Sequence, residues 1–330
     1  MKELRNPGIQ ERHRIGLGVV GLGHWGSNYV NTLLDIPSCR LAALVDSNPR
    51  ALAQCASRLP PEGSRIRFYS GIGALLDDDA VSAVVVAAPD RVHFASALEC
   101  LQAGRDVLVE KPLARSVMHA QRLLACALAT GRVLACGHTA LYQRGFDRLY
   151  GVVRSGSLGR ILRVEAVRTS GGPAEPDGDY GALWDLAPHD LAMVIGLFGA
   201  PVSCRTTTGD PAGAGAEFEL LFVDGMEVRC RVAWEPSERM RRFAVHGAHA
   251  SQALVEEVDQ RDSPADRPLG RQCVDFLKCC RDRSLPRSDA GLGLEVIRCL
   301  EALSESSRLG NRWVELNASS AKHRAYAQVQ

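Results

Sequence analysis

A chain of 330 residues is long enough to bury two medium hydrophobic cores, so two domains are the expectation. Its 39 basic and 38 acidic residues are spread along the chain and leave a formal net charge of +1, which excludes the electrostatic footprint of a nucleic-acid or anionic-membrane binder. No stretch approaches the roughly 18 uninterrupted apolar residues of a spanning helix, and the polar start MKELRNPGIQERHR lacks the apolar core of a secretory signal. A cytoplasmic protein that acts on a small molecule is the expectation. The eleven cysteines contain no C-x-x-C and lie mostly in apolar stretches, where Cys behaves as a small buried hydrophobe. They are expected as thiols. The pair Cys279-Cys280 admits a redox or metal role, but it has no nearby histidine, and no metal site is expected.

Ile15 to Val30 reads as strand, tight turn and helix. Within it Gly21-Leu22-Gly23-His24-Trp25-Gly26 fits G-x-G-x-x-G, the turn whose backbone N–H groups meet a dinucleotide pyrophosphate at a helix N-terminus. Gly21 allows the sharp turn, Gly23 the approach of the phosphates, and Gly26 close packing of helix on strand. A second register, Gly16 to Gly21, also fits, but the charged segment Glu11 to Arg14 leaves no strand before it. Cys39 to Asp46 is a second strand ending in an acid about 20 residues beyond Gly26, where the fingerprint expects a partner for the adenosine ribose. A carboxylate at Asp46 repels the 2′-phosphate of NADP and favours NAD, while the small Ser47 leaves room for NADP as well.

A helix over Asn48 to Leu59 follows, stopped by Pro60-Pro61-Glu62-Gly63, and then a short strand over Arg65 to Tyr69. The triplet Asp77 to Asp79 reads as a solvated turn before the β-branched run that ends at Pro89, the mark of a strand buried on both faces. A helix over His93 to Ala103, a strand over Asp106 to Val109, a helix over His119 to Ala129 and a strand over Arg132 to Cys136 complete the alternation. That alternation predicts a doubly wound parallel sheet, an α/β Rossmann domain over residues 1–136.

Glu110-Lys111-Pro112 directly follows the strand DVLV, at the carboxyl end where open α/β sheets hold their ligands. A partly desolvated lysine there has the chemistry to lower its pKa or donate to a substrate hydroxyl oxygen. The alternative is a surface lysine that ends a strand.

After Gly137 the pattern changes, and residues 137–330 read as an α+β domain with a mostly antiparallel or mixed open sheet. A helix over Phe146 to Arg154 and a strand over Arg160 to Thr169 lead to a Gly/Pro-rich loop, Gly171 to Ala182. Strands follow at Ala216 to Val223, Met226 to Trp234, Met240 to His246 and Gln252 to Val258, with Asp224-Gly225 as a hairpin signal. Two helices, Gly270 to Asp282 and Asp289 to Leu309, precede a last strand Trp313 to Leu316. Asn317-Ala318-Ser319 matches a glycosylation acceptor, discounted without a secretory route.

In this half Trp184-Asp185-Leu186-Ala187-Pro188-His189-Asp190 opens an apolar helical run reaching Phe198, in which Pro188 is expected only in a first turn. Asp185 and His189 are four apart and share a helix face. Near the helix N-terminus a charged carboxylate and a neutral imidazole are favoured, and neutral imidazole is what a general base for alcohol oxidation requires. The alternatives are that Asp185 caps the helix and His189 is a satisfied partner, or that the pair ligates a metal.

Taken together these residues resemble the glucose–fructose oxidoreductase, inositol dehydrogenase and rhizopine-catabolism family (Gfo/Idh/MocA). The resemblance runs nearly end to end, through Gly21 to Gly26, VVVAAPDRVH ending at His93, EKP at 110 to 112, GHTALY at 137 to 142 and DLAPHD at 185 to 190. It implies NAD in the N-terminal domain, NADP being possible, held around Gly21, Gly23, His24, Trp25, Gly26, Asp46, Ala88, Pro89, His93, Glu110 and Lys111. It further implies a cis Lys111-Pro112 bond and Lys111, Asp185 and His189 as the catalytic set. In that set His189 takes the hydroxyl proton while hydride passes to nicotinamide, Lys111 orients the hydroxyl, and Asp185 holds the neighbouring donors.

GHT-x-LY with WDLAPHD looks most like the sugar-nucleotide branch, which oxidises a sugar ring hydroxyl, often at C3, or reduces the ketone. Tyr142 and Trp184 are then substrate-facing, and a homodimer or homotetramer formed through the second domain's sheet is implied. A ketoreductase of a deoxysugar pathway, an inositol dehydrogenase and a non-catalytic dinucleotide-binding sensor are the alternatives.

Overall fold

Strand β1, Ile15–Val20, is buried along almost its whole length because it has a parallel neighbour on each side, β2 (Cys39–Val45) and β4 (Ala83–Val86). The structure is a computed structural model that describes residues 14–60, 65–172, 181–209, 213–235, 239–254 and 262–316. Several sequence features lie outside the described residues: the N-terminal stretch through 13, the Pro61 to Gly63 stop, most of the Gly/Pro-rich loop, the strand end at 255–258, and the Asn317 tail with its acceptor triplet. The described residues fall into two compact units. The first is drawn from Met1–Arg115, Gln121–Gly137 and Asp259–Ala290, the second from Ser116–Ala120, His138–Val258 and Gly291–Gln330.

The first unit holds a six-stranded sheet in the order β3-β2-β1-β4-β5-β6, with β3 at Arg67–Tyr69, β5 at Asp106–Val109 and β6 at Leu134–Cys136, all pairs parallel. Between successive strands run α1 (His24–Leu34), α2 (Pro49–Ala56), α3 (Ile72–Leu76), α4 (His93–Gln102) and α5 (Val117–Thr130). This is the doubly wound α/β architecture expected, and its strand order reverses between β1 and β4, which opens a crevice at their carboxyl ends. The short helix α3 ends on the Leu75-Leu76 pair, which is helix-like in the sequence. The aspartate triplet beside it is not wholly solvated: Asp78 is buried, paired with Arg67 Nη1 at 2.7 Å, and accepts from Tyr69 Oη and the Ala80 N–H.

Helix α8, Pro268–Asp282, adds Cys273, Phe276 and Leu277 to the same core as Leu17, Tyr29 and Leu33. Beyond its end Arg283 takes a left-handed conformation, φ 54°. Its guanidinium grips both carboxylate oxygens of Asp106 at 2.7 Å and the carbonyls of Cys280 and Gly131. Asp106 also accepts the Val133 N–H, so this buried carboxylate fastens α8 and the entry to β6 to the start of β5.

The second unit is an α+β body around a seven-stranded mixed sheet, order β12-β11-β7-β10-β9-β8-β13. Its strands are β7 (Ile161–Ser170), β8 (Ser203–Gly209), β9 (Gly215–Leu221), β10 (Glu227–Trp234), β11 (Arg241–Gly247), β12 (Ser251–Ala253) and β13 (Val314–Glu315). β7 and β10 run parallel and the other pairs antiparallel. Period-two alternation sets its two faces. Val228, Cys230 and Val232 of β10 and Phe218 and Leu220 of β9 are buried, on the side of helices α7 (Ala182–Phe198) and α9 (Ala290–Arg308). The opposite face carries the cross-strand charge pairs Arg205–Glu219 at 2.7 Å and Arg229–Glu219 at 3.4 Å, and His246 lies 3.4 Å from Glu165. Helix α6, Arg144–Arg154, completes the unit.

All eleven cysteines are free thiols. No helix among the described residues is long and apolar enough to cross a membrane.

Replacing Arg283 with Met strands the buried carboxylate of Asp106. A cost of about 2 kcal/mol is expected, below that of a wholly buried pair because the arginine is half exposed. Urea unfolding of Arg283→Met against the parent protein measures it.

Candidate functional site

The glycine turn sits at the crevice end of β1. Gly21 has φ +89°, and a Cβ there would lie 2.6 Å from the Ala88 Cα, so the turn closes directly against the end of β4. At Gly26 a Cβ would lie 1.8 Å from the Gly21 carbonyl oxygen, which is the close packing that the 21–26 register requires. Gly23 differs from both: it is extended, and nothing lies within 4 Å of where its Cβ would be. It forms the N-cap of α1 without a side-chain cap, leaving the first-turn N–H groups aimed at an open approach. His24 and Trp25 follow in that exposed first turn with their rings in edge contact, centroids 5.6 Å apart. A pyrophosphate fits this cradle, since the one glycine with open space in front of it is the one that the phosphates must approach.

Asp46 stands just beyond the end of β2. Its Oδ2 accepts the Leu22 N–H at 2.8 Å and its Oδ1 the Asn48 N–H at 2.8 Å, tying the turns after β1 and β2 together. Each carboxylate oxygen has a second lone pair, so a ribose hydroxyl remains acceptable to it.

At the ends of β4 and β5 the expected residues divide into two kinds. Ala88 lends its backbone to the turn and Pro89 is exposed. His93 is buried, with Nδ1 2.8 Å from the Pro112 carbonyl and Nε2 2.8 Å from the Ala88 carbonyl, so its ring spans the loops after both strands. Burial pushes its pKa down, against the two carbonyls. Glu110 is also buried; its Oε1 accepts from Tyr29 Oη at 2.9 Å and its Oε2 from the Lys111 N–H at 2.8 Å. Burial pushes its carboxyl up, and the Lys111 charge and both hydrogen bonds oppose that. The half-buried Lys111 follows at the carboxyl end of β5, and its bond to Pro112 is cis.

In the second unit Asp185 and His189 lie four apart on α7, but the helix begins earlier than Pro188 was expected to allow. It starts at Ala182, and Pro188 sits inside it, past the first turn. The Trp184 and Asp185 N–H groups bond back to Gly181, and the almost wholly buried helix outweighs the lost proline N–H, a cost of about 3 kcal/mol in an exposed helix. His189 therefore lies two turns in, where the helix dipole acts less on it than expected.

Asp185 is not the N-cap, which is Gly181; its Oδ2 accepts from Trp234 Nε1 at 3.1 Å. Trp184 is buried and donates Nε1–H to Ser304 Oγ at 3.0 Å. Asp190 forms a bidentate pair with Arg168 of β7 at 2.8 and 2.9 Å, both side chains buried. Four side-chain hydrogen bonds, to β10, α9 and β7, thus fix the stretch of helix that carries Asp185 and His189. Tyr142 lies buried in the short turn Thr139–Tyr142.

Tyr29, Arg168, Trp234 and Ser304 were not singled out from the sequence. Nothing local marks them, because their partners lie 22 to 120 residues away. Among the described residues no group of three His, Cys, Asp or Glu side chains is placed to hold a metal ion.

Two family models match the chain: "Oxidoreductase family, NAD-binding Rossmann fold" over residues 15–138 and "GFO/IDH/MocA C-terminal domain" over residues 146–252. A UDP-N-acetylglucosamine 3-dehydrogenase of Acidithiobacillus ferrooxidans is 32% identical over 235 residues, 68% of this chain and 70% of that protein. Inositol 2-dehydrogenase 2 of Saccharopolyspora erythraea is 32% identical over 196 residues, 58% of this chain and 56% of that protein's length. Among solved structures, GenD2 from gentamicin A biosynthesis in complex with NAD superimposes with a TM-score of 0.81 at 27% identity, covering 93% of this chain and 97% of that one.

Two substitutions test the two units separately. Gly23→Ala has no protein atom to displace, so it should leave the melting temperature nearly unchanged while NADH affinity, read by fluorescence titration, falls at least about tenfold. Arg168→Met leaves Asp190 buried and unpaired, and should cost roughly 3–5 kcal/mol in denaturant unfolding.

Proposed function

This chain belongs to the GFO/IDH/MocA oxidoreductase family and carries its NAD-binding domain, and on that premise we propose that it is a dehydrogenase of a sugar or sugar-nucleotide ring hydroxyl, often the one at C3. The observation that carries this reading is the presence, on an NAD-binding fold, of Lys111 at the carboxyl end of β5 together with Asp185 and His189 on one helix. NAD, when bound, supplies the hydride acceptor; the small Ser47 beside Asp46 leaves NADP admissible.

In this reading His189, neutral, takes the proton of the substrate hydroxyl. Lys111 donates to the same oxygen and stabilises the negative charge that develops as the proton leaves. Asp185, its Oδ2 held by the indole N–H of Trp234, fixes the donors around it. Microscopic reversibility gives the same residues the reverse task, ketone reduction.

The likeness to a UDP-N-acetylglucosamine 3-dehydrogenase supports a nucleotide-linked sugar. That to an inositol 2-dehydrogenase supports the second reading, a free cyclitol. The cofactor belongs in this reading to residues 1–136, and substrate binding and association into a homodimer or homotetramer to residues 137–330, with Tyr142 and Trp184 on the substrate side.

Absorbance at 340 nm with NAD and, in turn, UDP-sugars, free hexoses and inositols tests the substrate class; growth with inositols alone would replace the sugar-nucleotide reading with the cyclitol one. Lys111→Ala and His189→Ala should each lower kcat by about 10²–10⁴-fold and leave NADH binding intact. Unchanged turnover in both refutes the assigned roles, and NADH binding without turnover of any alcohol by the parent protein favours a sensor.

A further inference from the structure

Tyr29 lies on the inner face of α1 with no exposed surface, among the apolar residues of the first core. A buried hydroxyl in such surroundings needs a partner, and this one reaches across the core to Glu110 Oε1 at 2.9 Å. The other carboxylate oxygen of Glu110 accepts the main-chain N–H of Lys111 at 2.8 Å. The chain at Gly137 covers the group, since a Cβ there would lie 3.0 Å from the Cα, Cδ and Oε1 of Glu110. Water is thus replaced around this carboxyl by a small set of fixed groups.

Among the described residues, the titratable groups that face Glu110 are Lys111 from its own loop, Tyr29 from α1, Cys136 from β6 and Cys273 from α8. Burial pushes both thiols up, and burial first and the Glu110 charge second push the Tyr29 hydroxyl up, so all three stay protonated through the neutral range. The Glu110 carboxyl too is pushed above its ordinary value, burial outweighing the groups that oppose it. Desolvation raises its pKa, and the Lys111 charge, the Tyr29 hydrogen bond and the Lys111 N–H lower it.

We infer that Tyr29 is a positioning residue for Lys111, acting through Glu110: its hydroxyl orients the carboxylate, and the carboxylate fixes the loop that presents the lysine. Tyr29 touches neither substrate nor reacting atoms. The inference rests on the role proposed for Lys111 only in its catalytic consequence; the coupling of Tyr29 to Lys111 stands on the hydrogen bonds.

Tyr29→Phe keeps the ring and removes one donor to the charged form of Glu110, so the carboxyl pKa rises and the proton is taken up at higher pH. The state of Lys111 that depends on charged Glu110 is then lost at higher pH as the solution is acidified.

The chain has four lysines, Lys2, Lys111, Lys278 and Lys322. Reductive ¹³C-methylation of the whole protein therefore gives few NMR signals, and that of Lys111 is the one missing from Lys111→Arg. In the parent protein this signal should shift with an acidic inflection. The inflection should move up by roughly one pH unit in Tyr29→Phe and vanish in Glu110→Gln. No inflection in the parent, one that stays in place in Tyr29→Phe, or one that survives in Glu110→Gln overturns the proposal, as would a Tyr29 variant altered only in stability.

On a substrate that the protein turns over, the acid limb of kcat/KM should move up in Tyr29→Phe by a similar amount, with NADH affinity unchanged. An unmoved limb beside a moved inflection overturns the catalytic consequence. A protein that oxidises no alcohol yet shows the moved inflection refutes the proposed function while supporting the Tyr29–Glu110–Lys111 link.

Discussion

The first unit depends on how closely α1 approaches the turn that precedes it. No side chain fits at Gly26, where a Cβ would lie inside the Gly21 carbonyl oxygen, or at Gly21, where it would lie inside the backbone of Ala88. That double contact brings the helix N-terminus to the crevice between β1 and β4 and holds it against the end of the neighbouring strand. The same approach points Tyr29, two residues beyond Ser27 on the inner side of α1, at the loop after β5. The cofactor cradle and the support of Lys111 are therefore two consequences of one packing constraint.

The second unit meets a different demand. Helix α7 is buried nearly all round, so its apolar surface alone does not fix its rotation about its own axis. Directional contacts do so: the bidentate Arg168–Asp190 pair, the Trp184–Ser304 bond and the Trp234–Asp185 bond leave from different sides of the helix and reach three different elements. A buried ion pair adds little net stability over apolar packing of the same volume. Its contribution here is a unique orientation of the turn that bears Asp185 and His189.

How much of this is legible in the sequence depends on the range of the interaction. The Rossmann strands carry continuous apolar runs and the glycine turn carries its own spacing, so β1, β2, β4, β5 and the 21–26 register follow from local pattern. The short α3, one turn long, shows in the sequence only as its Leu75-Leu76 pair, and β8, with its threonine run and a register shift between Thr206 and Thr208, lacks a repeated period. Pro188 misled because propensity argues from an exposed helix, whereas α7 is held by what packs on it. The burial of Asp78 and the partners of Glu110 and Asp190 are tertiary facts that no short window contains. Helix α8 has the amphipathic pattern of any packed helix, and nothing in that pattern says that Cys273 and Phe276 join the core begun by β1, some 250 residues earlier in the chain.

The basic residues show how the chain divides structural from chemical work. It contains 35 arginines and four lysines. Where a positive charge has to clamp a buried carboxylate, as at Asp106 and Asp190, the residue is arginine, whose fixed planar fork meets two oxygens at once and keeps its proton. At the carboxyl end of β5 it is lysine, a compact charge on a flexible stem, able to give up a proton where its surroundings favour that. Such a group is only as well placed as its surroundings make it. In an otherwise arginine-based framework, the carboxylate of Glu110 on the lysine's own N–H, itself held by a phenol from the cofactor helix, supplies the orientation that a guanidinium would have carried in its own geometry.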